Sequence, residues 1–246
     1  MKRCLILLLA LLLTVPALAE QAEIPVLQSA REALETLGYP ISDEAVAQTL
    51  AYQRRMQEWY KTAGIQLSDR WDSREELAYL LLQCQGLGVY DYDALTWSPT
   101  SERVYAFDAE FFHVAGMYTE FLQGIQAIMP EAKITAVRED LSGMDEDLGG
   151  SRKVYFDFND HAYVVKLRSD GDWFNGEMID FVNQVLETEG LPNRLHMVSD
   201  PFDQVVMLIC GTEQEAAALR TLLGVEAPEA DAGFDLLNWL GNLLGW

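Results

Sequence analysis

Residues 153–168, KVYFDFNDHAYVVKLR, carry the clearest topological signal in the chain. The segment Lys153–Phe158 alternates valine or phenylalanine with residues that tolerate solvent, which is typical of a strand with one buried face. Asn159-Asp160 can form a tight turn before a second strand-like segment, His161–Arg168. The pattern therefore predicts an antiparallel β-hairpin.

Strand and helix signals continue on both sides of this hairpin. The further predicted elements are strands over 133–138, 195–198 and 205–210, a helix over 176–189, and a helix from the Thr212/Glu215 capping box to Gly224. The predicted order is thus β-β-β-α-β-β-α. Because tight connections favour antiparallel pairing, we expect an α+β fold whose antiparallel sheet has its helices on one face.

The chain before about Thr100 reads as helical, with capping signals that predict helices over 26–37, 44–62 and 73–86. The expected buried face of the second helix is formed by Val46, Leu50, Met56, Trp59 and Tyr60. A fourth, long helix is predicted from Asp108 to Met129, because apolar residues recur at helical spacing from Phe111 to Ile125.

We therefore expect four parts along the chain. Residues 1–19 are a signal peptide, 20–100 a helical region, and 101–226 an α+β domain beginning with the long helix. Residues 227–246 combine a linker of small residues with an amphipathic C-terminal helix.

The N-terminus has the three parts of a secretory signal. Met1-Lys2-Arg3 is basic, an apolar run follows, and Ala17-Leu18-Ala19 offers a cleavage site before Glu20. The apolar run is shorter than the roughly 20 residues that span a bilayer, so a retained anchor is the weaker alternative. The expected location is secreted or extracytoplasmic, with no transmembrane anchor after cleavage.

The chain is strongly acidic, with 17 Lys and Arg against 39 Asp and Glu and a net charge of −22. Cleavage would remove Lys2 and Arg3, which leaves 15 − 39 = −24. Such a charge repels nucleic acids and anionic lipids, so the sequence predicts no nucleic-acid partner. The expected partner is an unknown protein or extracellular ligand, and solubility alone also explains the charge.

Two cysteines remain after the predicted cleavage, Cys84 and Cys210. Both follow apolar runs, which favours buried free thiols, since free cysteine packs as a small hydrophobic residue. A disulfide between them is the alternative in an oxidising compartment.

No motif in the chain names a reaction, so the catalytic residues are unknown and we expect no cofactor and no metal. Weak metal candidates are the Glu110/His113 pair, spaced for one helix face, and the Asp170/Asp172 loop. A third is the acidic loop with Glu139-Asp140 and Asp145-Glu146-Asp147. For these three we favour a solvated helix face, a strand-to-helix connection capped by Asn175, and an exposed polar loop.

An acidic aromatic patch is the basis for a catalytic alternative. Asp91 and Asp93 lie among Tyr90, Tyr92 and Trp97, a composition typical of carbohydrate sites. Paired carboxylates can hydrolyse glycosides at the right separation, whereas aromatic residues that anchor a loop are the simpler interpretation.

The C-terminal segment is almost entirely apolar. Its candidate partner-binding residues are Phe234, Leu237, Trp239, Leu240, Leu244 and Trp246. On a helix the three polar residues of this segment would form one narrow stripe, so a broad apolar face needs a cover. That cover is the protein itself, a partner chain or a membrane surface.

Residues 105–112, YAFDAEFF, leading into 117–122, MYTEFL, resemble exported bacterial proteins of unassigned function. The resemblance also extends over the acidic loop and the hairpin, and it implies a bacterial exported protein without assigning catalytic residues. We therefore expect a non-catalytic binding protein whose contact surface is the sheet or the apolar tail. The alternatives are a carboxylate-based hydrolase of extracellular polymers and a calcium-stabilised module.

Overall fold

The computed structural model describes residues 25–66, 71–91, 94, 96–111, 113–200 and 203–226. One compact unit runs as far as Cys84, and a second begins at Gln85. The predicted signal peptide and the predicted C-terminal helix lie outside the described residues, so both stay predictions.

Three helices account for most of the first unit, α1 (Pro25–Thr36), α2 (Asp43–Ala63) and α3 (Arg74–Gly86). Their bounds lie within two residues of the predicted ones, because capping residues fix the ends. The Ser42 Oγ accepts a hydrogen bond from the Ala45 N–H at the start of α2, and Gly64 ends that helix with φ 70°.

The predicted buried face of α2 is wrong at its C-terminal end. Trp59 is 46% exposed, whereas Thr49 and Gln53 are buried beside Val46. These three residues are spaced along one face of the helix, and the Gln53 Nε2 donates to the Trp71 carbonyl oxygen at 3.4 Å. The buried face of α2 is therefore partly polar, and its glutamine is tolerated there because its side chain has a hydrogen-bond partner. The spacing of apolar residues in the sequence does not reveal such a face.

The second unit holds the remaining described elements. Its strands are β1 (Val89–Asp91), β2 (Thr96–Ser98), β3 (Tyr105–Asp108), β4 (Ile134–Asp140), β5 (Gly150–Phe158), β6 (His161–Ser169), β7 (Arg194–Met197) and β8 (Val205–Gly211). Its helices are α4 (Met117–Ile128), α5 (Glu177–Thr188) and α6 (Glu213–Leu223).

The α+β class and the order β-β-β-α-β-β-α from β4 to α6 are confirmed. The hairpin is confirmed as well, since Asn159 and Asp160 both have positive φ, 49° and 68°, between β5 and β6. The strands are divided between two antiparallel sheets, ordered β4-β5-β6 and β3-β8-β7, beside a β1-β2 ribbon. The division arises because β8 pairs with β3 and β7 rather than with the hairpin.

The predicted long helix over 108–129 is wrong in its first part. Residues Tyr105–Asp108 form β3, paired with β8, and the helix α4 begins only at Met117. The Asp108 Oδ1 accepts a hydrogen bond from the Glu110 N–H and so turns the chain out of the strand. The apolar residues from Phe111 onward therefore belong to two elements. The first of them lie in a loop that packs on the core, and those from Met117 lie in the helix α4.

Aromatic side chains fill the core of the second unit. The ring of Phe174 lies 4.9 Å from that of Phe107 and 4.7 Å from that of Phe121, measured between centroids. Val154, Phe156 and other inward residues of β5 pack against this core on the side of α4 and α5. The opposite face of the β4-β5-β6 sheet is therefore turned to solvent. Within the described ranges, no helix is long and apolar enough to cross a membrane.

Candidate functional site

The outer face of the β4-β5-β6 sheet is the candidate functional site. We use this name for the side chains that point away from the buried core. They are Thr135, Arg138, Asp140, Ser151, Lys153, Tyr155, Asp157, Ala162, Val164, Lys166 and Arg168. Their alternation with buried residues along three paired strands places them on one continuous surface.

Positive charge is concentrated on the outer face. The four outer-face cations are Arg138, Lys153, Lys166 and Arg168, and all four are exposed. The face carries two acidic residues, Asp140 and Asp157. Acidic residues outnumber basic ones by 39 to 17 in the whole chain, so this surface has the opposite sign to the rest.

The charged side chains of the outer face are arranged across neighbouring strands. The Arg138 guanidinium carbon lies 3.6 Å from the centroid of the Tyr155 ring, which is a cation–π contact. Lys153 lies directly opposite Lys166 in the register of β5 and β6. Like charges in that position destabilise a sheet, but Asp140 of β4 lies directly opposite Lys153 on its other side and offsets part of this repulsion. Within the described sheet Lys166 has only Lys153 across from it, so a negatively charged partner beside β6 would relieve the repulsion that remains.

Sequence reasoning missed this surface, although the hairpin contains its signal. Lys153 directly precedes the alternating Val154 and Phe156 of β5, and Lys166 and Arg168 flank Leu167 in β6. Read together as a paired hairpin, these positions fall on one face. Net charge, which averages over the whole chain, conceals such a local concentration.

A buried ion pair holds the underside of the same sheet. The Arg152 Nη1 lies 2.9 Å from the Glu139 Oε2, and the two side chains are 1% and 3% exposed. The guanidinium also donates to the Val114 carbonyl oxygen and to the Ser169 Oγ. The pair therefore ties β4, β5 and β6 together beneath the outer face.

The partner carboxylate of this pair also caps a helix. The Glu139 Oε1 accepts hydrogen bonds from the backbone N–H groups of Tyr118 and Thr119, at 3.1 and 2.9 Å, and from the Thr119 hydroxyl. These groups lie at the start of α4, where unpaired N–H groups favour a negative charge. The expectation that Glu139 belongs to an exposed acidic loop is therefore wrong.

A carboxylate pair lies where β3 ends beside the start of β8. The Gln204 Nε2 donates to the Asp108 Oδ1 at 2.8 Å and to the Glu110 Oε2 at 3.1 Å. Burial raises the pKa of Asp108 to about 6, although hydrogen bonds from the Glu110 N–H and Gln204 oppose the rise. One amide thus bridges both carboxylates and joins β3 to β8.

The predicted Glu110/His113 pair does not lie on one helix face. Glu110 forms an isolated bridge with Trp173, and His113 precedes a short 3-10 turn over Val114–Gly116. The expected i, i+3 geometry therefore does not exist, because the chain at these positions is not an α-helix.

The weak metal candidates Asp145, Glu146 and Asp147 lie in the loop between β4 and β5. The Asp145 Oδ1 accepts hydrogen bonds from the N–H groups of Asp147 and Gly149, so this carboxylate stabilises its own loop. Glu146 and Asp147 are exposed. The structure therefore does not bring these three carboxylates together around one point.

The weak metal candidates Asp170 and Asp172 lie in the connection between β6 and α5. Asp170 forms an isolated bridge with Trp173, and the Asp172 carbonyl oxygen accepts a hydrogen bond from the Phe111 N–H at 2.8 Å. The Asn175 Oδ1 accepts from the N–H of the first residue of α5. Asp172 thus joins this connection to the segment after β3 through its backbone.

These acidic candidates do not combine into a metal centre in the part of the chain that the structure describes. There, no group of three or more His, Cys, Asp or Glu side chains gathers to hold a metal ion. Among the described residues, neither the Asp170/Asp172 pair nor the Glu110/His113 pair therefore has a third ligand. The physical reason is that turns and strand ends, rather than one helix face or one loop, position these residues.

The remaining sequence candidates are placed only in part. Trp97 is buried, its Nε1 donates to the Leu87 carbonyl oxygen at 2.8 Å, and its ring packs on Tyr105, so it anchors its loop. The side chains of Tyr90, Asp91, Tyr92 and Asp93 lie outside the described residues, as does the apolar segment from Phe234 to Trp246.

Cys84 and Cys210 are both free thiols, and burial raises the pKa of each to about 11.

A carboxylate on α4 makes the stability of the fold depend on pH. Burial raises the pKa of Glu120 to about 7 from an ordinary value of 4.5. Between these values the folded chain binds a proton that the unfolded chain does not, so the free energy of unfolding falls as pH rises through this range. We expect Glu120→Gln to match the wild type at about pH 4 and to be more stable at about pH 8, by on the order of 1–2 kcal/mol.

Urea denaturation at the two pH values measures this difference. Glu187→Gln, at an exposed position of α5, is the matched control and should show no gain at the higher pH. A Glu120→Gln variant that is equally stable, or less stable, at high pH would contradict the assignment.

Comparison of the chain with protein families, with curated proteins and with solved structures finds no match. The outer face is therefore characterised by its own geometry: an exposed three-stranded surface, four cations, one aromatic ring in contact with a guanidinium, and a buried ion pair beneath it.

Proposed function

We propose that the chain is an exported, non-catalytic binding protein that uses the outer face to hold an anionic partner. The observation that carries this proposal is the concentration of four exposed cations on one sheet face of a chain with net charge −22. Export is supported by the signal-like residues 1–19. No nucleic acid is proposed as the partner, because the remainder of the chain would repel a long phosphate backbone.

The arrangement of the outer face suits binding better than it suits stability. Asp140 lies opposite Lys153 on β4, whereas within the described sheet Lys166 has only Lys153 across from it and so no acidic residue directly opposite. A carboxylate placed between the two lysines would interact with both ammonium groups at once. Electrostatic attraction of this kind sets the rate and the specificity of encounter more than the final affinity.

The double variant Lys153→Gln with Lys166→Gln tests the proposal. The probe is poly-L-glutamate at about 0.1 M salt, where charges within roughly 10 Å still interact. At about 1 kcal/mol for each cation close to an anionic surface, the double variant should bind roughly 30-fold more weakly. Thermal stability should change little, because the double variant removes the repulsion between the two lysines and also the attraction between Lys153 and Asp140.

The matched control removes the same charge from the first unit. Arg54→Gln with Lys61→Gln changes two exposed residues of α2 and should leave poly-L-glutamate binding nearly unchanged. Equal weakening by both double variants would mean that net charge alone governs binding, which is incompatible with the proposed surface. Absence of binding by the wild type would also overturn it.

The carboxylate-based hydrolase is the second candidate, and one observation favours it. Asp108 and Glu110 lie close enough to share one amide, and the pKa of Asp108 is raised to about 6. Such a pairing resembles the acid and base of hydrolytic sites. Both carboxylates, however, are engaged by Gln204 in joining β3 to β8, so we rank hydrolysis below binding. The calcium-stabilised module gains no supporting observation among the described residues.

A further inference from the structure

The β4-β5-β6 sheet has one long strand at its edge. β6 spans nine residues, from His161 to Ser169, and pairs in unbroken register with β5 on one side. It is the last strand of its sheet in the described structure. It contains no proline, and its residues at alternate positions are exposed, with Val164 at 53%.

The other edges of the described sheets are protected in ways that proteins commonly use. β3 and β7 are only four residues long, and the strands of the β1-β2 ribbon are three. β4 is broken by a register shift between Thr135 and Arg138, where Ala136 has φ 52°. Short strands and bulges deter further pairing, so β6 stands apart from the other edges.

The ladder of the hairpin determines which backbone groups of β6 are open. A two-residue turn closes on a hydrogen-bonded pair, here Phe158 with His161, and hydrogen-bonded pairs then alternate along the strands. The N–H groups of Ala162, Val164, Lys166 and Arg168 consequently point away from β5. The Asn175 Nδ2 donates to the Arg168 carbonyl oxygen at 3.2 Å, so the open groups are those of Ala162, Val164 and Lys166. No hydrogen bond joins these three groups to another segment of the described chain.

We propose that the edge of β6 accepts an extended segment of a partner protein as a fourth antiparallel strand, in which acidic residues alternate with apolar ones. The acidic side chains would lie on the outer face beside Lys166 and Arg168, and the apolar ones would cover Tyr163 and Val165, which are only partly buried. Backbone pairing supplies affinity and alternate side chains supply specificity in this mode of binding. The proposal rests on the proposed function and adds the class of partner and its mode of attachment.

Charge decides between such a segment and a second copy of the chain. Antiparallel pairing of β6 with β6 of another copy would bring the cations of two outer faces onto one sheet, where they repel each other. An acidic segment instead neutralises Lys166 and relieves its repulsion with Lys153. The partner is therefore a different chain.

Val164→Pro is the decisive variant. Proline removes the N–H of residue 164, which points away from β5, so the hairpin ladder keeps all its bonds. Val164→Thr is the matched control, because it keeps the N–H and the branched shape. The probe is an acetylated peptide of alternating glutamate and valine, compared with the same peptide carrying prolines in place of its central valines.

Two measurements give the result. Affinity by fluorescence anisotropy should fall by about tenfold or more in Val164→Pro and stay unchanged in Val164→Thr, and the proline-containing peptide should bind poorly to every variant. Hydrogen exchange of the unmodified protein should slow at Ala162, Val164 and Lys166 when the alternating peptide binds. The exchange measurement remains decisive even if Val164→Pro does not fold.

The possible outcomes separate the two proposals. If Val164→Pro binds the alternating peptide as tightly as the wild type, and the peptide slows no exchange at Ala162, Val164 and Lys166, strand addition is overturned. The proposed anionic-partner surface would be unaffected by that result. If the alternating peptide slows exchange at these amides equally well in the double variant Lys153→Gln with Lys166→Gln, the cations do not contribute to binding. That result overturns the proposed function and the requirement that the partner be acidic. Slow exchange at the same amides without peptide, together with a dimeric mass, shows that the occupant is a second copy and overturns the choice of partner.

Discussion

Arg152→Met should lower the free energy of unfolding by about 3–5 kcal/mol, the range for breaking a buried ion pair by removal of one partner. The substitution leaves the Glu139 carboxylate buried without its cation, and it leaves the Val114 carbonyl oxygen and the Ser169 hydroxyl without their donor. Methionine fills a similar volume, so a cavity contributes little. Urea denaturation at neutral pH measures the loss.

Two further variants identify the cause of this loss. Lys153→Met changes the next residue of β5, which points to the opposite face, and should alter stability by less than about 0.5 kcal/mol. Arg152→Met combined with Glu139→Gln removes the unpaired charge but keeps an oxygen that caps α4, so it should recover part of the loss. A loss below about 1 kcal/mol in the single variant would show that the pair is not buried as described.

Gly124→Ala should destabilise the fold by about 3 kcal/mol, near the upper end of the range for overpacking a core. The same change at an ordinary helix interior would stabilise by about 1 kcal/mol. A Cβ at Gly124 would lie 2.3–2.5 Å from ring atoms of Tyr105. That ring cannot withdraw, because Trp97 and Phe107 pack on it with centroids 5.0 and 5.1 Å away.

A double-mutant cycle separates the clash from helix propensity. In a Tyr105→Val background the ring is absent, so Gly124→Ala should there become neutral or stabilising. The coupling between the two positions, measured by thermal or urea denaturation, is the quantity of interest. Additive effects of the two substitutions would rule out the close packing of Gly124 against Tyr105.

These two sites bear on function through the rigidity of the sheet. The Arg152–Glu139 pair fixes β4 and β5 to the start of α4, and Tyr105 fixes β3 to the same helix. A surface that binds an extended partner loses less entropy when its strands are already ordered. Weakening of poly-L-glutamate binding by Arg152→Met, at temperatures where the variant is folded, would reflect this ordering.

Short-range signals made much of the architecture predictable. The turn at Asn159-Asp160, the cap at Ser42 and the capping box at Thr212 depend on residues within a few positions of one another. Alternation and helical spacing likewise identified β5, β6 and α5. These features are encoded locally, so reading the chain in windows recovers them.

Tertiary contacts overrode expectations from the local sequence in three places. The apolar spacing after Asp108 indicated a helix, yet β3 pairs with β8, which lies far along the chain. Trp59 was expected to be buried and is exposed, because packing selects the other side of α2. Arg152 would be expected at the surface, but Glu139 on another strand neutralises it in the interior.

The candidate site is another feature that tertiary contacts determine. By itself the sequence determined the α+β class, the order of the elements from β4 to α6 and the hairpin, since each of these follows from contacts between near neighbours in the chain. Only the tertiary structure decided that four cations from three strands share one exposed face, that β6 is an open edge and that Arg152 is buried. The hairpin by itself places Lys153, Lys166 and Arg168 on one face, but Arg138 joins them only through the pairing of β4 with β5. Which face is exposed depends on the helices that cover the other side, so no local window contains the whole surface.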